Sequence, residues 1–250
     1  MQPTALALLP VLQYAASTED GIVLTGINNG RGFPDFPATI DSFPLVTVWN
    51  GIQRRFEQTI KLLNGHADVI AESTIGLTAE PPNDYGICLI TLEALIADPG
   101  IYRLELYADG ELQLSKPMQF VSSPSESFPT SGAPQLSALV FVQAVRHLDD
   151  PDKIELLRVM NYDGLEGKKG VTVVSVWDNV TKKLNVEVGL VQPTGTLLNK
   201  RQIPIGLTTN RMRHTMMIVN LPAQTFKQAG EYRLTVRYAG KTREFPLIIR

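Results

Sequence analysis

The sequence is poor in the residues that build reactive centres. It has one cysteine, Cys88, and three histidines among 250 residues. A lone cysteine excludes an intrachain disulfide and gives no sign of an oxidising compartment. His66, His147 and His214 are scattered, so no His/Cys set has the spacing of a zinc site. No G-x-S-x-G, H-E-x-x-H, phosphate-loop or dinucleotide fingerprint is present. Long apolar runs are missing as well, and none approaches the roughly 18–20 residues that a membrane-crossing helix needs. Ala5–Leu12 has no positively charged stretch before it and is interrupted by Pro10, so it reads as a strand and not as a signal-peptide core. Cys88 sits in the apolar run Ile87–Leu92 and reads as a buried, inert thiol. The expectation is a non-enzymatic chain without catalytic residues, metal or cofactor, cytoplasmic or part of a phage particle.

Charge is sparse and unevenly placed. Charged residues make up 19% of the chain and apolar ones 44%, the balance of a globular protein. The net charge of −2 hides two opposed halves. Residues 1–121 hold 14 acidic and 6 basic residues, a net of −8, and residues 135–250 hold 10 acidic and 17 basic, a net of +7. The basic residues of the second half cluster in and beside turns, at Lys168, Lys169, Lys182, Lys183, Lys200, Arg201, Arg211 and Arg213. These are the candidate partner-binding positions, and a polyanion is a candidate ligand of the second half. Nucleic-acid binding would want aromatics interleaved with these cations, and none is; Trp177 is the nearest. Asp149-Asp150-Pro151-Asp152 lacks the EF-hand pattern and reads as a solvated turn. Gly30-Arg31-Gly32 has no helix after it to cradle a phosphate and reads as a loop.

What the chain has is alternation, and it has it twice. In Gly100-Ile101-Tyr102-Arg103-Leu104-Glu105-Leu106 the apolar Tyr102, Leu104 and Leu106 share one face, the period of a half-buried strand. Gly230-Glu231-Tyr232-Arg233-Leu234-Thr235-Val236 repeats it. Leu45-Val46-Thr47-Val48-Trp49 is matched by Val173-Val174-Ser175-Val176-Trp177, and Asp20-Gly21-Ile22 by Asp152-Lys153-Ile154. Turn signals such as Asn50-Gly51, Asn64-Gly65 and Asp109-Gly110 punctuate the strands. Residues 122–135, rich in Ser and Pro, read as a linker. The pattern predicts an all-β chain of two tandem antiparallel β-sandwich domains, an acidic one at 1–121 and a basic one at 136–250.

Asp98-Pro99-Gly100-Ile101-Tyr102-Arg103-Leu104 resembles the tyrosine corner of immunoglobulin-like domains, with Leu104 where antibody domains carry their second cysteine. The resemblance implies that Trp49 and Trp177 are the core tryptophans of strand C, and that Tyr102, Leu104, Tyr232 and Leu234 mark the cores. The second repeat departs from it with Gln228-Ala229-Gly230 in place of Asp-Pro-Gly, and neither half has the cysteine pair. The units are also similar to small bacterial β-sandwich domains of unknown function, with a D-G-x-I/L start and a G-x-Y-x-L late strand. Trp49 shares its phase with Thr47, while Val46 and Val48 occupy the other face, so the alternation leaves two placements for the tryptophans, core or solvent. The function expected is protein interaction or assembly, as an adaptor or structural subunit of a bacterial or phage complex that binds a protein partner or itself. The alternative is a carbohydrate- or nucleic-acid-binding module.

Overall fold

The computed structural model describes residues 3–249 except 17–20, 28, 80–84, 123–132, 148–152, 160–169, 181 and 206–213. Among the described residues the regular structure is β-strand, with one 3-10 turn at Ala223–Thr225 and no α-helix. In chain order the first half contributes β1 (Thr4–Pro10), β2 (Gln13–Ala16), β3 (Gly21–Thr25), β4 (Gly30–Gly32), β5 (Ala38–Asn50), β6 (Phe56–Leu63), β7 (Val69–Leu77), β8 (Tyr85–Ile96), β9 (Gly100–Ala108) and β10 (Glu111–Val121). The second contributes β11 (Gln135–His147), β12 (Lys153–Val159), β13 (Val171–Asp178), β14 (Leu184–Val191), β15 (Leu197–Ile205), β16 (His214–Leu221), β17 (Gly230–Tyr238) and β18 (Lys241–Ile249).

The strands gather into two compact units, residues 1–14 with 24–129, and residues 15–23 with 130–250. Ala15–Val23 therefore groups with the second unit, although its sequence neighbours lie in the first. Most of the Ser/Pro-rich stretch lies outside the described residues.

In the first unit, β1, β5 and β8 pair antiparallel in that order. A five-stranded sheet runs β4-β10-β9-β6-β7, antiparallel except for the β4–β10 pair. The two sheets share a core in which Leu45, Trp49, Ile90 and Leu92 of one meet Phe56, Ile60, Leu104 and Phe120 of the other. In the second unit β12-β11-β13-β16 and β15-β14-β17-β18 are both antiparallel. The order β15-β14-β17-β18 repeats β7-β6-β9-β10 strand for strand.

The repeated tyrosines close their strands in the same way. Tyr102 donates its hydroxyl proton to the Asp98 carbonyl at 2.8 Å, and Tyr232 donates to the Gln228 carbonyl at 3.0 Å. The acceptor is main chain, which explains why Gln228 serves as well as Asp98. Tyr102, Leu104, Tyr232 and Leu234 are buried, and Ile101 on the opposite face of β9 is exposed. Glu105 departs from the alternation: it is 6% exposed on the polar face, held by Arg103 at 2.6 Å and by the Tyr107 hydroxyl.

Two expectations are corrected. Trp49 and Trp177 lie on β5 and β13, whereas the strands that pair with the tyrosine strands β9 and β17 are β6 and β14. The tryptophans thus sit in the sheet opposite the tyrosine, not on a strand C beside it. Their phase is ambiguous in sequence because Val46, Thr47, Val48 and Trp49 are all buried, and a strand covered on both faces loses its alternation. Gly30-Arg31-Gly32, read as a loop, is the short strand β4. It is parallel to β10, an arrangement that no local sequence signal announces.

Candidate functional site

Of the basic residues singled out above, Lys168, Lys169, Arg211 and Arg213 lie outside the described residues, as does the Asp149–Asp152 turn. Lys182, Lys183 and Arg201 are exposed. Lys200 is ion-paired with Glu187 at 2.9 Å, and Arg237 reaches the same carboxylate at 3.4 Å. Arg233 pairs with Glu244 at 3.2 Å across β17 and β18. The outward face of this sheet is thus a mixture of both charges. The tryptophans are 0% exposed, so neither is a stacking platform for a sugar or a base.

Each buried indole N–H needs an acceptor, since the group can only donate. Trp49 Nε1 donates to Gln58 Oε1, which also accepts from Thr47 Oγ1 at 2.6 Å. In the second unit Val186 stands at the register position of Gln58, and Trp177 donates to Ser175 Oγ at 2.8 Å instead. Gln58 Nε2 has no nitrogen or oxygen acceptor among the described residues. Beside this cluster, burial pushes the Cys88 thiol above its ordinary pKa, and Gln58 and Thr47 pull it partly back. A thiol held protonated in a core is a poor nucleophile. Among the described residues, no group of three or more His, Cys, Asp or Glu side chains is placed to hold a metal.

The first unit carries an open groove of about 910 Å³. Its walls include Leu12 and Tyr14 from the segment after β1, Arg31 and Gly32 of β4, and Ser42 and Pro44 of β5. Two local features assemble it. The β5–β8 register shifts between Ile40 and Phe43, and this bulge presents the Ser42 carbonyl to Arg31. Arg31 Nη1 donates to that carbonyl at 3.2 Å, and its guanidinium lies 4.9 Å from the Phe43 ring centre. No carboxylate pairs with Arg31 among the described residues, and partial burial draws its pKa below the ordinary arginine value. Leu12 is half exposed on the same wall. In the sequence Gly30-Arg31-Gly32 reads only as a loop, and nothing local marks Arg31 as part of a groove. What stands there is a lone cation between two glycines, followed by Phe33-Pro34.

A second surface is the sheet edge at β8. Over twelve residues β8 pairs with β5 alone among the described strands. Its outward positions carry Ile87, Leu89 and Leu95 at 38, 39 and 59% exposure, and its one charge is Glu93. The edges of the β15-β14-β17-β18 sheet are different in kind. β15 carries Lys200, Arg201 and Pro204, and β18 carries Lys241, Arg243, Glu244 and Pro246. Charge and proline along an edge oppose pairing with another chain, and β8 has almost none of either.

No protein-family model matches the chain, and no curated protein matches it in sequence. Among solved structures it is similar to dimeric latent PorU from Porphyromonas gingivalis, at 12% identity and a TM-score of 0.33, over 100% of this chain and 20% of that one. The chain spans about a fifth of the length of that protein.

Proposed function

We propose that the chain is a non-enzymatic interaction and assembly protein, built from two tandem immunoglobulin-like β-sandwich domains joined by the Ser/Pro-rich linker. An adaptor or structural subunit of a larger bacterial or phage complex fits this reading. The observation that carries it is the contrast between sheet edges. β15 and β18 are protected by charge and proline, while the longer β8 pairs with β5 alone among the described strands and displays Ile87, Leu89 and Leu95. An unprotected edge offers a row of backbone donors and acceptors, and the alternate apolar side chains add burial to the pairing. The simplest partner is a second copy. The opposed charges of the two halves, −8 and +7, would draw copies together at low salt.

Light scattering of the full chain over a range of concentrations tests this reading. Self-association should appear at low ionic strength, weaken with added sodium chloride, and be lost in Leu89→Lys, which places a charge on the outward face of β8. A chain that stays monomeric throughout, or a Leu89→Lys variant that associates as the parent does, would contradict it.

A further inference from the structure

We infer that the strand pair β2–β3 is exchanged between copies, so that the first half of one molecule completes the second unit of another. The partner is a second copy of this chain, as in the assembly reading, but the surface is the edge of β12 and not β8.

The repeat shows what is unusual about β3. In the second unit β12 returns antiparallel onto β11, with pairs running from Val142↔Val159 to His147↔Ile154. Its counterpart in the first half is β3, since Asp20-Gly21-Ile22 matches Asp152-Lys153-Ile154. A plain repeat would lay β3 on β1, as β12 lies on β11. Among the described strands the neighbours of β3 are instead β2 and β12, and Ala15–Val23 belongs to the second unit. A strand that one repeat would keep for itself is given to the other.

The strand pair is also a discrete arm. Leu12 and Thr25 are both residues of the first unit, and the Leu12 N–H donates to the Thr25 carbonyl at 2.9 Å. The chain thus leaves the first unit and returns to it at one point. The pairings of β1 with β5 and of β5 with β8 use no residue of the arm, so handing it over breaks neither.

The acceptor needs this cover. Ile154 and Leu156 of β12 are buried, as is Ile22 of β3. β12 contains no proline, and without β3 it would be an apolar edge strand of the kind that pairs with other chains. Every second unit therefore requires one β2–β3 arm, and the connection decides whose. Between Thr25 and β12 lie the rest of the first unit and the stretch 122–135, a linker by composition. The contacts between arm and β12 are the same whether they belong to one chain or to two. Exchange thus gains and loses no contact at this edge, and its balance follows concentration and linker length. Two copies that trade arms close a two-fold dimer.

The experiment refolds the full chain from guanidinium, once dilute and once concentrated. Both samples are then diluted into high salt and read by size-exclusion chromatography with light scattering. The dilute sample should be monomeric. The concentrated one should contain a dimer that survives dilution and salt, because the arms separate only when β3 leaves β12. Deleting Ser125–Thr130 should raise the dimer fraction and a Gly/Ser insertion in the linker should lower it, since a short hinge connection favours exchange. A synthetic peptide of residues 12–26, in excess during the concentrated refolding, should occupy β12 and lower the dimer fraction. The same peptide with Asp in place of Ile22 should not. Where refolding gives only aggregate, concentrated native chain held just below its melting temperature is tested in the same way. The absence of a dimer stable to dilution, or a stable dimer indifferent to the 12–26 peptide, would overturn the inference. Leu89→Lys separates the two surfaces. Salt-sensitive association that this variant abolishes, with no persistent dimer, overturns the exchange and leaves the β8 reading standing. A persistent, peptide-sensitive dimer formed equally by Leu89→Lys and parent supports the exchange even where β8 association fails.

Discussion

The Trp49 indole N–H is satisfied by Gln58 from the facing sheet, while Trp177 finds its acceptor two residues away on its own strand, at Ser175 Oγ. One core position that recurs in both units has two solutions to the same constraint. Phe56 packs edge-on to Trp49 at 4.9 Å between ring centres, and Tyr238 does so to Trp177 at 4.8 Å. The ring partner comes from β6 in one unit and from β17 in the other, so aromatic packing is kept while its source moves.

The two solutions can be exchanged. Gln58→Val copies the second unit but removes the acceptor of both the Trp49 N–H and the Thr47 hydroxyl, leaving two buried donors to share what Thr47 alone can offer. It should destabilise the first unit by roughly 1–3 kcal/mol, the cost of a buried unsatisfied donor. Adding Thr47→Ser removes the β-methyl that restricts the hydroxyl rotamer, completes the copy of the Trp177–Ser175 pair, and should recover part of the loss. Denaturant titrations of the two single variants and the double variant measure the coupling. Additive losses would show that the hydroxyl at position 47 cannot take the indole proton.

The tyrosine hydroxyls give a second test. Tyr102→Phe and Tyr232→Phe each remove one hydrogen bond to a carbonyl and should cost about 1 kcal/mol. The alanine variants also remove the ring and should cost about 3–5 kcal/mol. Equal losses for the Phe and Ala variants in denaturant unfolding would mean that the hydroxyl, and not the ring, carries the contribution.

Sequence and structure agree where one face of a strand is wet. Tyr102, Leu104 and Leu106 alternate with exposed Ile101 and Arg103, so the all-β, antiparallel reading follows from local pattern. The pattern fails where both faces are dry, as at Val46–Trp49, or where pairing is long-range, as for β4 against β10. The groove was hidden for the same reason. Leu12, Arg31 and Ser42 are brought together by a bulge and a parallel pairing, and neither has a signature within ten residues. The basic residues were visible as letters, but the carboxylate of Glu187 that takes up Lys200 comes from the neighbouring strand.

The β17–β18 hairpin turns through Ala239 at φ 45° and Gly240 at φ 76°, whereas β9–β10 turns through Asp109 at φ 47° and Gly110 at φ 84°. Positive φ is costly for alanine and better tolerated by aspartate or asparagine. Ala239→Asn should therefore stabilise the second unit by about 0.5–1 kcal/mol, read as a raised melting temperature. An unchanged or lowered value would show that the turn is held by its strands alone.

Asp109 makes a pH prediction. Its carboxylate accepts from the Glu57 N–H at 2.9 Å and from Arg54 at 2.7 Å, and the first of these chiefly holds its pKa below 3.8. A group with a lowered folded pKa stabilises the fold above its unfolded pKa and loses that contribution as pH falls through the folded value. Asp109→Asn, which keeps the turn conformation, should be less stable than the parent at pH 7. The gap should close on acidification below 3.8. A constant gap from neutral pH to pH 2 would mean that the ionised carboxylate contributes nothing.

The assembly reading rests on β8 as the edge where a partner strand is added, and amide hydrogen exchange reads that edge directly. Exchange is followed on the full chain at low ionic strength, once dilute and once concentrated. The outward amides of Tyr85–Ile96 should exchange rapidly when dilute and become protected on concentration, with no change along β15 or β18. Protection in β8 that is independent of concentration, or that rises along β15 and β18 instead, would contradict the account.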